Sequence, residues 1–270
     1  MPSVSWLTIA PVKGLALVEV QEVALRREGV AENRRFYLVD EAGERFGLLR
    51  HGKLALVRAD YEPDTERLRF TFPDGASFEG EVEVDGQVTT DFYGRPVEGR
   101  VVRGPWAAAL SAYAERPLRL VKADRPGAGV DRGRGGVSML SDASLEELRR
   151  RAGRDEPVDA RRFRMLIGIG GAEPHEEDGW IGRRVRVGDA LVELLGQVGR
   201  CAITTQNPST GVRDFGTLRE IRGYRGQNAE TREIDFGVFG QVTQPGRVRV
   251  GDAVRYIVSS EARRRPSYSK

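Results

Sequence analysis

The sequence predicts a mainly β, α+β chain, with a β-rich N-terminal domain followed by a C-terminal β-barrel carrying a few short helices. Two observations carry this expectation. Short apolar runs recur at close spacing, broken by turn residues, with 33 Gly and 13 Pro in 270 residues. Such spacing favours antiparallel pairing, because a parallel pair needs a long crossover. The second observation is an internal echo. Val185-Arg186-Val187-Gly188-Asp189-Ala190-Leu191-Val192 is nearly repeated by Val248-Arg249-Val250-Gly251-Asp252-Ala253-Val254-Arg255. Each copy reads as strand, Gly-Asp turn, strand, with glycine accepting the positive φ of a tight hairpin. Two copies about sixty residues apart fit neighbouring corners of one barrel, whereas a solenoid needs more.

In chain order, the strand-like runs are Val18–Leu25, Phe36–Val39, Leu54–Asp60, Leu68–Phe72, Phe78–Val84, Val97–Val102, Leu118–Val121 and Phe163–Ile169. Three helices are expected. Pro105 suits the first helical position ahead of Trp106–Ala114. Ser141 suits an N-cap for Asp142–Arg151, with Leu145 and Leu148 on one face, arginines at the end and Gly153 as the stop. Leu218, Ile221 and Tyr224 align on a third, Leu218–Tyr224. Lys122–Gly136, rich in Gly and Arg and without apolar periodicity, reads as a long loop at the domain junction. The expected division is 1–125, 126–258 and a basic, flexible tail 259–270.

The single cysteine excludes an internal disulfide, a CxxC pair, a four-cysteine zinc site and an iron–sulfur cluster. The N-terminus has no basic segment leading into an apolar one, and no run approaches a membrane span. A reduced, cytoplasmic setting is therefore expected, with no membrane partner. The net charge of +3 becomes −1 once Arg263, Arg264, Arg265 and Lys270 of the tail are set aside. Since nucleic-acid binding needs a clustered basic stripe within the fold, no nucleic-acid partner is expected.

The common catalytic signatures are missing. There is no P-loop, and Gly168-Ile169-Gly170-Gly171 lacks the third glycine and the helix of a dinucleotide fingerprint. His175-Glu176-Glu177-Asp178 lacks the second histidine of a zinc helix. The acidic cluster Glu173–Asp178 reads most simply as a solvated loop. Cys201, in Gly199-Arg200-Cys201-Ala202-Ile203-Thr204-Thr205, stands out. Beside an arginine its thiol is a candidate nucleophile or soft-metal ligand, and the alternative is a buried cysteine acting as a small hydrophobe.

Arg200-Cys201-Ala202-Ile203-Thr204-Thr205-Gln206-Asn207-Pro208-Ser209-Thr210-Gly211 resembles the central motif of the MOSC domain, the C-terminal domain of molybdenum cofactor sulfurases. Further segments follow in the family's order: Arg162-Phe163-Arg164, Glu176-Glu177-Asp178-Gly179-Trp180, Val187-Gly188-Asp189 and Phe236-Gly237. The N-terminal half resembles the β-rich domain that precedes MOSC in the amidoxime-reducing enzymes. Its markers are Pro11-Val12-Lys13-Gly14 and Asn33-Arg34-Arg35-Phe36-Tyr37-Leu38-Val39-Asp40.

The resemblance implies a MOSC β-barrel and a molybdenum cofactor (Mo-molybdopterin), with Cys201 as catalytic residue and thiolate ligand to the metal. A soft thiolate suits that metal, and the pterin dithiolene would supply further sulfurs. The cofactor's phosphate needs basic partners. The matched positions are Lys13, Arg35, Arg164 and Arg200, with Gly14, Arg134, Gly135, Gly199 and Phe239 completing the expected cofactor site. Backbone amides in the Gly-rich Asp131–Gly136 loop, where relatives touch the cofactor, are expected to form an anion nest, the alternative being a flexible linker. Departures from the family pattern are Gly14 where relatives have serine, Met165-Leu166 where they have Pro-Asn, and Val198 where they often have cysteine. The expected function is reduction of small N-hydroxylated substrates by a monomer fed from a separate electron-donating reductase. The alternative is a non-catalytic cofactor carrier or sulfur-transfer module.

Overall fold

The computed structural model describes residues 1–126, 130 and 134–257. In the first half the strands are β1 Ser3–Ile9, β2 Val18–Val20, β3 Glu22–Leu25, β4 Phe36–Val39, β5 Arg45–Phe46 and β6 Arg58–Glu62. They continue with β7 Arg67–Thr71, β8 Ser77–Glu81, β9 Glu83–Asp91, β10 Pro96–Arg103 and β11 Arg119–Ala123. In the second half come β12 Val137–Ser141, β13 Ile167–Gly170, β14 Arg184–Val187 and β15 Ala190–Gly199. The last are β16 Asp235–Gln244, β17 Gly246–Arg249 and β18 Val254–Tyr256. The helices are α1 Pro105–Ala114, α2 Asp142–Arg151 and α3 Thr217–Arg225, one at each expected place. Pro105 occupies the first turn of α1, and Ser141 caps α2 by accepting the Ser144 N–H.

One sheet has eight strands in the order β18-β14-β15-β16-β12-β13-β1-β2. A bridge between Ser3 and Ala253, with the Val4 N–H donating to the Asp252 carbonyl at 2.8 Å, joins β1 to the start of β18 and closes the sheet into a barrel. Its interior is aliphatic, including Leu7, Met139, Ile167, Val192, Leu194 and Val238. A second core forms under the five-stranded sheet β5-β4-β11-β10-β9 and the three-stranded sheet β6-β7-β8, with Trp106 and Leu110 of α1 packed into it. Among the described residues the architecture is thus β-rich with three helices, as the sequence predicts.

Several details differ, each for a local reason. The run Val18–Leu25 splits because β2 pairs with β1 while β3 pairs with β17. Leu54–Asp60 begins in a 3-10 turn, Gly52–Leu56, before β6. Phe163–Ile169 is strand only from Ile167, since Arg164 has φ 52° and ends a 3-10 turn, Ala160–Phe163. Pairing is antiparallel except for β12 with β13, where α2 provides the crossover. The second echo is no hairpin, because β17 joins β3 and β18 joins β14. The two Gly-Asp turns do lie side by side, with the Asp189 N–H donating to Arg247 and the Gly188 N–H to Ala253. β16 was hidden by Gly237 and Gly240, which punctuate it in sequence. Gly240 is needed there, since a Cβ would stand 2.5 Å from the Glu193 carbonyl oxygen.

The sequence interval between β11 and β12 contains the expected division near residue 126, yet β1 and β2 are barrel strands. Strands β1 and β3 therefore hydrogen-bond with the later half, through β13 and β17, and the two halves are stitched together. Residues 131–133 of the expected anion nest and the tail 259–270 lie outside the described residues.

Candidate functional site

A cavity of about 630 Å³ opens between the first and second halves of the chain. One wall comes from Lys13, Gly14, Asn33, Arg34, residues 42–50, Asp91 and Tyr93, and the other from residues 135–138, 162–165, 198–201, 203 and 204. Strand β15 delivers Cys201 to it. After Gly199 the chain leaves the ladder, with the Arg200 N–H still donating to the Ile234 carbonyl at 2.8 Å. Cys201 is then the N-cap of the 3-10 turn Ala202–Thr205, and its carbonyl accepts from the Thr204 N–H and hydroxyl. The backbone is thereby held while the thiol side chain is left exposed, which sets aside the buried-hydrophobe reading.

Arg200 braces this turn from behind. Its guanidinium donates to the carbonyls of Phe236 (Nε, 2.7 Å) and Phe163 (Nη1, 2.9 Å), and it lies over the Phe163 ring. It ties β16 to the segment 163–165, which lines the same wall as Cys201. Arg162, 6% exposed, makes a two-pronged ion pair with Asp214 that holds the Asp214 carboxyl below the usual carboxylate range.

The opposite wall is pinned by backbone. The Lys13 N–H donates to Phe36, the Arg34 N–H to Ala10, and the Asn33 side chain accepts from the Ala10 N–H. Arg34 and Arg164 both have positive φ, at 54° and 52°. Arg34 Nη2 donates to the Arg164 carbonyl at 3.0 Å, and Arg164 Nη2 to the Leu15 carbonyl at 2.7 Å. These two arginines therefore latch the two halves together at the cavity. Side chains rarely accept this backbone region, so its use twice at one site marks a constrained geometry.

Of the expected residues, Lys13, Gly14, Gly135, Arg164, Gly199, Arg200 and Cys201 line the cavity. Arg35, Arg134 and Phe239 do not. Arg35 turns away, donating to the Ala123 carbonyl and lying near Tyr61 and Glu66. Arg134 is exposed. Phe239 backs the wall instead, its ring meeting Gly135, where a Cβ would come within 2.8 Å of it. Sequence reasoning missed Arg34, Arg45, Arg50 and Tyr93 in the lining. It also missed Glu233, whose carboxylate fills the space a side chain at Gly199 would need. The adjacent pair Arg34-Arg35 contained the signal, but only the turn geometry decides which arginine faces inward.

The acidic segment is not simply a solvated loop. Glu177 is fully buried, accepting from the Ser141 N–H and the Ser144 hydroxyl at the start of α2, and burial raises its pKa. His175 meets the Tyr224 hydroxyl at 3.2 Å, and burial, reinforced by the Arg225 charge, pushes its pKa down to about 4. An unfolded histidine accepts a proton near 6.5, so native His175 lags behind it, and stability falls as pH drops from about 6.5 to about 4. Glu177 contributes the opposite slope above 4.5, and that contribution persists when His175 is changed. Replacing His175 by glutamine is thus expected to flatten the acid-side fall in Tm, read by thermal melts from pH 7 to 4. Parallel curves for wild type and variant would contradict the burial argument.

Among the described residues, no cluster of three or more His, Cys, Asp or Glu could hold a metal by itself, and no helix is long and apolar enough to cross a membrane. Residues 129–255 match the MOSC domain, and residues 1–112 match the MOSC N-terminal beta barrel domain. The chain is 27% identical to mitochondrial amidoxime-reducing component 1 of Xenopus laevis, over 93% of this chain and 81% of that one. It is 25% identical to the Homo sapiens protein of the same name, over 93% and 82%. A molybdenum cofactor sulfurase of Oryza sativa is 31% identical over 38% of this chain and 13% of its own. Together the two domain matches account for both cores and for both walls of the cavity, and the chain belongs to the MOSC-domain proteins that carry the N-terminal MOSC barrel domain.

Proposed function

We propose that this protein is a molybdenum-cofactor-dependent reductase of N-oxygenated compounds that takes its electrons from a separate reductase. The observation that carries the reading is an exposed Cys201 thiol in a cavity lined by cations from both halves of the chain. The residues fit the cofactor on charge, ligand chemistry and space. Lys13, Arg34 and Arg164 offer charge-assisted hydrogen bonds to a phosphate, and the thiol offers a soft ligand. When bound, the cofactor supplies a two-electron redox centre and additional sulfur ligands.

The chain's own residues then have separable tasks. Cys201 holds the metal on a turn whose backbone is fixed, Arg200 keeps that turn against β16, and Arg34 with Arg164 keeps the two walls at one spacing. Gly14 lends backbone where relatives use a serine hydroxyl, and Gly135 lets the wall approach over Phe239. Conversion of R–NH–OH to R–NH2 and water consumes two electrons and two protons. Glu233 packs against Gly199, two residues before Cys201.

The test is turnover of acetamidoxime by cofactor-loaded protein with chemically reduced dye as donor. Stoichiometric acetamidine supports a reductase, since the amidoxime N–O bond is replaced by N–H and the oxygen leaves as water. Bound cofactor without turnover would instead support a cofactor carrier or sulfur-transfer module. Arg34→Ala and Arg164→Ala are each expected to weaken cofactor retention by about tenfold or more, the value of one charge-assisted hydrogen bond. Arg35→Ala is expected to retain it, as measured by molybdenum content after dialysis. Loss in Arg35→Ala with retention in Arg34→Ala would reverse the assignment.

A further inference from the structure

Strands β9 and β10 are joined by a two-residue turn whose tip is Tyr93-Gly94. Both residues have positive φ, 60° and 78°, and the Phe92 N–H donates to the Arg95 carbonyl at 2.8 Å. This is the type I′ hairpin geometry, whose first position favours Asn, Asp or Gly. A tyrosine there is disfavoured, and here it does not gain burial in return, being 68% exposed.

What surrounds it is organised. Asp91 accepts from the Gly94 N–H and fixes the turn. Phe92, 2% exposed, anchors the hairpin edge-on against Tyr37. The Arg45 guanidinium lies over the Tyr93 ring, 3.9 Å from its centroid. Tyr93, Arg45 and the exposed Leu49 all line the cavity that contains Cys201. A strained, exposed aromatic residue held flat by a cation at a cavity mouth is placed for contact with a planar ring, by stacking on tyrosine or on the guanidinium.

We propose that the Tyr93–Arg45 pair is a substrate platform that selects N-oxygenated compounds bearing a planar aromatic group over aliphatic ones. This rests on the reductase reading for its chemistry. The platform makes no contact with the reacting atoms, so it acts on binding and specificity.

The experiment compares benzamidoxime with acetamidoxime, which share the reacting group and differ in the ring. Tyr93→Asn removes the ring while supplying a residue the turn prefers, so folding is not at issue. The expected result is a roughly three- to tenfold fall in kcat/KM for benzamidoxime, carried by KM. Acetamidoxime should be unchanged, Tyr93→Phe should behave as wild type, and molybdenum content should be equal in all three proteins. An equal fall for both substrates, no change for either, or loss of molybdenum in Tyr93→Asn would overturn the proposal. If wild type reduces neither amidoxime, the reductase reading fails separately, and calorimetric titration with benzamidoxime decides the platform. Weaker binding to Tyr93→Asn than to wild type supports it. Equal binding, or none to wild type, overturns it.

Discussion

Replacing Cys201 by serine is expected to lower amidoxime turnover more than about 100-fold, beyond the 10- to 100-fold typical of losing an outer-sphere partner of a metal ligand. The thiol is exposed and its backbone contacts use the carbonyl, so the fold has little reason to respond. A surface change of this kind shifts stability by about 0.5 kcal/mol or less. The variant should therefore melt like wild type while losing activity. X-ray absorption at the molybdenum edge should show one sulfur scatterer fewer. Retained turnover, or an unchanged sulfur count, would remove Cys201 from the metal.

Arg200→Met is expected to act through the scaffold as well as the site. Methionine keeps much of the side-chain volume but leaves the Phe163 and Phe236 carbonyls without their guanidinium donor. Losing such partners at partly buried groups costs about 1–3 kcal/mol each, so roughly 3 kcal/mol in total is expected. In a chain of this size that lowers Tm by roughly 5–10 °C. Because Arg200 ties β16 to the segment carrying Arg164, molybdenum retention should fall with it. A variant with wild-type Tm and wild-type molybdenum content would show that the brace has no structural or functional weight.

The helices were legible because their ends are written in local chemistry, Pro105 at one start and Ser141 at another. Cys201 was legible because a rare residue stands inside an ordered set of motifs. Partner choice was not. Nothing near Val18 shows that β2 will join the barrel while β3 goes to β17, since register is fixed by contacts more than two hundred residues away. The inward arginine was hidden for a related reason. Arg34 takes a left-handed backbone that turns its neighbour Arg35 toward Ala123, and only the pinned segment from Ala10 to Lys13 imposes that. Tyr93 was invisible because a tyrosine in a type I′ turn contradicts local preference, and such conflicts are where function tends to overrule propensity. The acidic neighbours of Glu177 predict a solvated loop, whereas its burial follows from the serines at the start of α2.

The central claim is that the Cys201 cavity holds a molybdenum cofactor, and the most direct test is metal quantification by elemental mass spectrometry on wild-type protein purified from a cofactor-producing host. Near one molybdenum per chain, together with organic phosphate from the pterin, is the predicted result. Protein from the same host that is folded and monodisperse but carries no molybdenum would contradict it.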